Sequence, residues 1–161
     1  MKLLTIVIIF LGSCAYKPVY NNDNSLSKYK IDIIVKSKEN YGNITNLLKL
    51  HLNQKLNFRS NKPSNIKLVI SVQKQKTGMG INKDLSTSGI IMNYLVNYSL
   101  YDKKGLLKSG EISKKSSFYL SENSYGNLVS DEDSSQKIIL SLSDSISHIL
   151  LASSFKRKII P

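Results

Sequence analysis

Alternation and helical spacing divide the chain into six elements. Tyr29 to Lys36 (YKIDIIVK) is rich in β-branched residues and reads as a first strand. Gly42-Asn43 breaks the chain, and Ile44, Leu47, Leu48, Leu52 and Leu56 then recur at helical spacing until Lys62-Pro63 forces a stop. His51 falls within that apolar stripe, where a partly buried, hydrogen-bonded imidazole is expected rather than a ligand. Ile66, Leu68, Ile70 and Val72 alternate with Lys67, Ser71 and Gln73, the period-two pattern of a half-buried strand whose solvent edge continues as Gln73-Lys74-Gln75-Lys76. A loop with Gly78, Gly80 and Lys83 is expected next. Gly78-Met79-Gly80 reads as a turn, because the rest of a phosphate-loop fingerprint and its helix are missing. Ile90, Met92, Tyr94, Val96, Tyr98 and Leu100 then occupy one face of a long strand with a well-specified register. Asp102-Lys103-Lys104-Gly105 has the composition of a tight hairpin with glycine in the left-handed position, and Leu106 to Leu120 is the return strand.

The last third predicts a helix. Ser130-Asp131-Glu132-Asp133 offers an N-cap and a first turn of acids at the positive end of the helix dipole. Ile138, Ile139, Leu142, Ile146, Ile149 and Leu150 share one face, and Lys156, Arg157 and Lys158 follow at the negative end. Asp144 and His148, four apart on the polar face, are expected to form a modest exposed pair. Leu140 and Leu151 lie off the main stripe, as scattered surface residues or a second contact surface. The order β-α-β-β-β-α defines a two-layer α+β domain over residues 30–161: a four-stranded mixed sheet with both helices packed on one face.

Composition narrows the chemistry. In 161 residues, 41% are hydrophobic and 21% charged, enough for one domain with a single core. A single cysteine and two histidines rule out disulfide scaffolds and thiolate zinc sites, so no metal site is expected. Twenty-three Lys plus Arg against 11 Asp plus Glu leave a net charge of +12, but 21 of those cations are lysines in a sequence crowded with Asn, Ile and Ser. That balance fits an ordinary solvated surface, and two arginines make base readout and nucleic-acid partners unexpected. The sequence contains no Gly-x-Ser-x-Gly element, and outside the acids at Asp131 to Asp133, explained by capping, no close carboxylate cluster; no enzymatic activity is expected.

The N-terminus changes the meaning of the charge. Met1 to Cys14 (MKLLTIVIIFLGSC) places Lys2 before a nine-residue apolar run, Leu3 to Leu11, and small residues after it, the layout of a secretory signal peptide over residues 1–13. The run is far shorter than the roughly 20 residues that span a bilayer. Leu11-Gly12-Ser13-Cys14 is similar to a bacterial lipobox, which makes Cys14 the acylated first residue of the mature chain; two or three acyl chains, palmitate among them, anchor firmly at roughly 0.8 kcal/mol per buried methylene. Residues 14–29, with Pro18 and Asn21-Asn22-Asp23-Asn24-Ser25, read as a polar tether. Ala15, rather than Asp, after the cysteine points to the outer membrane, where phosphorylated lipid A is the abundant polyanion.

Cys14-Ala15-Tyr16-Lys17-Pro18-Val19-Tyr20, the Leu-rich first helix, the strand end Tyr98-Ser99-Leu100-Tyr101-Asp102 and Ser124-Tyr125 before an acidic helix start follow one another in an order that resembles LptE, the lipopolysaccharide-assembly lipoprotein family, in its alphaproteobacterial form. The resemblance implies a non-enzymatic plug inside an LptD-type outer-membrane β-barrel that assists barrel assembly and lipopolysaccharide delivery, with no cofactor beyond the lipid on Cys14. It also implies a lipid-contacting cation in the loop between the second and third strands, at Lys83, with Lys76 and Lys74 as further candidates. A second family cation, before the last helix, is replaced here by Ser130 and acids. The plainer reading of the three lysines, a solvated strand end and loop, is preferred over phosphate contact; Met92, Tyr94 and Tyr98 read as core. The rival functional class is a generic envelope lipoprotein binding another periplasmic protein or ligand.

Overall fold

A computed structural model describes residues 26–37, 43–58, 60, 62–81, 83, 86–153, 155 and 159. The strands are β1 (Tyr29–Ser37), β2 (Lys62–Ile81), β3 (Thr87–Asp102) and β4 (Gly105–Tyr119), and the helices α1 (Ile44–Leu56) and α2 (Ser124–Leu151). Sheet order is β1-β2-β3-β4, with β1 parallel to β2 and the other two pairs antiparallel. α1 packs over β1, α2 over β4, and the helices touch each other, so both cover the same face of the sheet as expected.

The period-two pattern decides which face that is. Ile31 and Ile33, Ile66 to Val72 on even positions, and Met92 to Leu100 on even positions are all buried, and the register sets Leu68 beside Leu100, Ile70 beside Tyr98 and Val72 beside Val96. Leu48, Leu52 and Leu56 of α1 and Ile138, Ile139, Leu142, Ile146 and Leu150 of α2 close the core from above. Gly110 lies opposite Tyr98, and a Cβ there would come within 2.4 Å of the Tyr98 hydroxyl oxygen, so the missing side chain makes room for the ring. Gly105 takes φ +113° in the β3–β4 hairpin, where the Asp102 carboxylate accepts the Lys104 N–H at 2.9 Å.

Four local expectations change. Gly78, Met79 and Gly80 do not form a turn; they extend β2 to Ile81, with Gly78 paired to Ile90 and Met79 to Gly89, because β3 is long enough to carry them. α2 starts six residues before Ser130, capped by Asn123, whose side chain accepts the N–H groups of Tyr125 (3.0 Å) and Gly126 (3.4 Å). The side chain of Asn127 bonds back to the backbone of Ser121 in both directions, fixing the entry to the helix. Asp131 to Asp133 therefore lie inside α2 and not in its first turn. Asp144 pairs with Lys55 of α1 rather than with His148, and Leu151 packs against the core. His51 is half-buried as expected. Residues 1–25, with Cys14, and Lys156 to Lys158 lie outside the described residues; Leu26, in a 3-10 turn leading into β1, is buried against the core.

Serine is part of the packing. Ser134, Ser135, Ser143 and Ser147 are buried on α2, their small side chains fitting among the isoleucines and leucines of the stripe. The cap makes a testable claim: Asn123→Ala should lower stability by about 1 kcal/mol in urea unfolding while leaving the core-packed half of α2 intact. An unchanged midpoint would mean that α2 does not begin there.

Candidate functional site

Lys74 occupies a core-facing position of β2, opposite Tyr94 of β3. Its side chain is only 10% exposed, which corrects the expectation of a solvated strand end. The burial is compensated on three sides. The ammonium lies 5.5 Å from the centre of the Tyr94 ring, donates to Ser135 Oγ at 3.1 Å and stands 3.5 Å from Asp131 Oδ1. Lys76, two residues on and on the same face, reaches the same Asp131 oxygen at 3.0 Å and is about half exposed. The Tyr94 hydroxyl donates to Ser135 Oγ at 3.0 Å, and the Ser135 hydroxyl donates to the Met92 sulfur at 3.7 Å. A buried ammonium without such partners would be strongly unfavourable.

These groups meet where α1 runs out. The first turn of α1, with Ile44 and Leu47, and the segment of α2 carrying Leu128, Asp131 and Gln136 leave an open cleft of about 400 Å³ with Lys74 at its floor. Burial pushes the Tyr94 phenol pKa up, with Asp131 adding to the effect and the Ser135 hydrogen bond and Lys76 opposing it; burial alone raises Tyr98. The arrangement is an electrostatic clamp between sheet and helix, with an amphipathic hollow above it.

Lys83 is separate from the clamp. It lies exposed in the turn after β2, at the end of the molecule where Ile81, Tyr119, Tyr125, Leu128 and Val129 also expose apolar surface. The three sequence-selected lysines thus divide: Lys74 and Lys76 converge on Asp131, and Lys83 does not join them. Asp131 and Ser135 were missed as site residues because acids near a helix start read as caps. Their i, i+4 spacing on a helix facing two lysines was the available signal. Met92, Tyr94 and Tyr98 are core, as expected. Among the described residues no group of His, Cys, Asp and Glu is placed to hold a metal ion, and no helix is long and apolar enough to cross a membrane.

No family model matches the chain, and no curated protein matches it. Solved structures share its fold. A Caulobacter crescentus protein described as a lipoprotein superposes with a TM-score of 0.57 at 19% identity, over 78% of this chain and 89% of that one. Rare lipoprotein B from Shewanella oneidensis gives 0.53 at 12% identity, over 71% and 89%. A minor lipoprotein from Acinetobacter baumannii gives 0.57 at 16%, over 84% and 98%. At these identities the similarity defines the fold: a mixed four-stranded α+β layer with two helices on one face.

The clamp has a pH signature. With its pKa raised in the fold, Tyr94 contributes stability that is fully present below the unfolded value of about 10 and is lost as pH rises from there through the raised folded value. Tyr94→Phe should cost about 1 kcal/mol at pH 8, from the lost Ser135 hydrogen bond. The gap between the two proteins should narrow in urea titrations from pH 9.5 upward; a gap that stays constant to pH 11 contradicts the assignment.

Proposed function

We propose that this chain is an outer-membrane lipoprotein, acylated on Cys14, whose domain plugs and helps assemble an LptD-type β-barrel and so supports lipopolysaccharide transport to the outer leaflet. The role is non-enzymatic and uses no cofactor beyond the covalent lipid. The observation that carries the reading is the uncovered face of the sheet. Its centre presents Ser71, Gln73, Gln75 and Thr77 of β2 beside Asn97, Leu95, Asn93 and Ile91 of β3, a lane without a charge in a chain with 21 lysines. Ser113 of β4 donates to Asn93 Oδ1 at 2.8 Å, and charges border the lane on either side, Glu111 and Lys115 beside Asn97 and Asn93 and Lys36 beside Ser71. Amides and hydroxyls can exchange hydrogen bonds with the polar interior of a barrel without the cost of desolvating ions.

The lipoprotein descriptions of the three structural neighbours, one of them rare lipoprotein B, support the envelope part of the reading. Within it, Lys83 is the cation for a lipid phosphate, because Lys74 and Lys76 already share Asp131. The apolar side chains around Lys83 suit an acylated ligand. A second reading, a generic envelope lipoprotein that binds another periplasmic protein or ligand, is favoured by the cleft above Lys74.

Crosslinking in intact outer membranes from photoreactive residues at Gln73 and Asn97 should recover an LptD-type barrel. Recovery of a soluble protein alone favours the second reading and sinks the first. Cys14→Ala should abolish fatty-acid labelling and release the protein from the membrane; persistent labelling overturns the anchor. Lys83→Glu should weaken lipopolysaccharide binding severalfold with an unchanged melting temperature, whereas Lys76→Glu, facing Asp131, should change little beyond a surface ion pair. Equal binding by wild type and Lys83→Glu returns Lys83 to plain surface.

A further inference from the structure

Among the described residues, the sheet has one long edge that its strands leave open. β1 pairs with β2 only from Lys62 to Val72, ending at Ser37, while β2 runs on to Ile81 and is paired there with β3 alone among the described strands. Beyond Lys74, the stretch Gln75 to Ile81 therefore turns every second pair of N–H and C=O groups away from β3. Such a row is a template for another extended chain unless the sequence blocks it.

The other edges are blocked. On β1, the Asn57 side chain mimics a neighbouring strand, accepting the Ile31 N–H at 2.8 Å and donating to the Ile31 carbonyl at 2.9 Å, and Lys30, Asp32 and Lys36 place charges along it. β4 carries Lys108, Glu111, Lys114 and Lys115. From Gln75 to Ile81 there is no proline, and the sole charge, Lys76, is drawn inward onto Asp131. Gly78 adds no bulk, and the regular ladder runs to Met79, Gly80 taking φ +68° before Ile81 pairs with Thr87.

We propose that the β2 edge from Gln75 to Ile81 accepts an extended strand of a partner polypeptide, which adds to the sheet in line with β1. The chemistry of that strand follows from its two sides. Towards the helices it meets the cleft walled by Ile44, Leu47 and Leu128, which calls for apolar side chains at alternate positions. Towards the uncovered face it lies beside Gln75 and Thr77, which calls for hydroxyls or amides in between. A strand alternating between apolar and uncharged polar residues satisfies both, and main-chain hydrogen bonds supply affinity. The inference needs no barrel and no lipid, so it stands or falls apart from the function proposed above.

Amide hydrogen exchange on the full chain in detergent micelles tests it, with a short acetylated and amidated peptide of alternating threonine and valine as the probe. Alternate amides between Gln75 and Ile81 should exchange rapidly in dilute protein and slow at least about tenfold with saturating peptide, while the amides bonded to β3 stay slow throughout. The same peptide N-methylated along one edge should have no effect. Three results overturn the proposal: exchange unaffected by the peptide, every amide in the stretch already slow in dilute protein because the chain covers its own edge, or slowing that follows protein concentration alone because a second copy is the occupant.

Discussion

Two helices of unequal length must cover one face of a sheet longer than either. α1 has 13 residues and reaches about 20 Å, α2 has 28 and reaches about 42 Å, and β2 alone has 20 residues, about 60 Å of strand. Where both helices are present, the sheet face between them is hydrocarbon apart from the Tyr98 hydroxyl, from Ile66 to Val72 and from Val96 to Leu100. Where α1 stops, water comes closer and the inward positions change character: Lys74 and Lys76 replace aliphatic residues on β2, and Asp131 and Ser135 answer them from α2. The clamp is thus a boundary feature, set where the dry core ends, and the cleft above it is the volume that a longer α1 would have filled.

The same length mismatch explains the free edge. β1 ends at Ser37, and α1 begins at Ile44, so no described strand lies beside the upper part of β2 on that side. A single topological choice, strand then short helix then parallel strand, therefore produces a hollow, a polar clamp and an open row of peptide groups at adjacent positions. Below that level the sheet is two-sided in a different sense: hydrocarbon towards the helices, and a lane of amides and hydroxyls, with Leu95 and Ile91 half-buried among them, on the uncovered side.

Period-two alternation made the strands legible because each inward position is aliphatic or aromatic and a one-residue slip would expose the whole set. The buried stripe of α2 was legible for the same reason at a period of 3.6. Its start was not. In a sequence crowded with Asn, Ser and Asp, many positions can serve as an N-cap, and the acidic run at Asp131 was the more conspicuous candidate than Asn123, whose following Gly126 weakens the helical signal. Gly78 and Gly80 misled in the opposite direction: glycine is turn-forming by local propensity, yet thirteen consecutive cross-strand partners with β3, from Lys67 to Met79, keep Gly78 in the strand, and Ile81 pairs again after Gly80, which takes φ +68°. Lys74 was readable as surface from its type and as core from its parity, and parity was correct. Its partners come from 57 and 61 residues further along the chain, a distance over which only the fold brings groups together.

The proposed anchor and Lys83 are separated by the same strand lengths. Tyr29 pairs with Lys62 at the start of β2, so the chain enters the fold at one end of the sheet and Lys83 lies past the other, about 60 Å away. Twelve residues separate Cys14 from Leu26, at most about 40 Å of fully extended chain. Full extension of that segment falls about 20 Å short of the length of β2. Tyr119, Tyr125, Ile81, Leu128 and Lys83 are exposed at the end of the sheet opposite the one where β1 begins. The proposed phosphate contact at Lys83 and the proposed anchor on Cys14 thus belong to opposite ends of the sheet, a separation set by the length of β2.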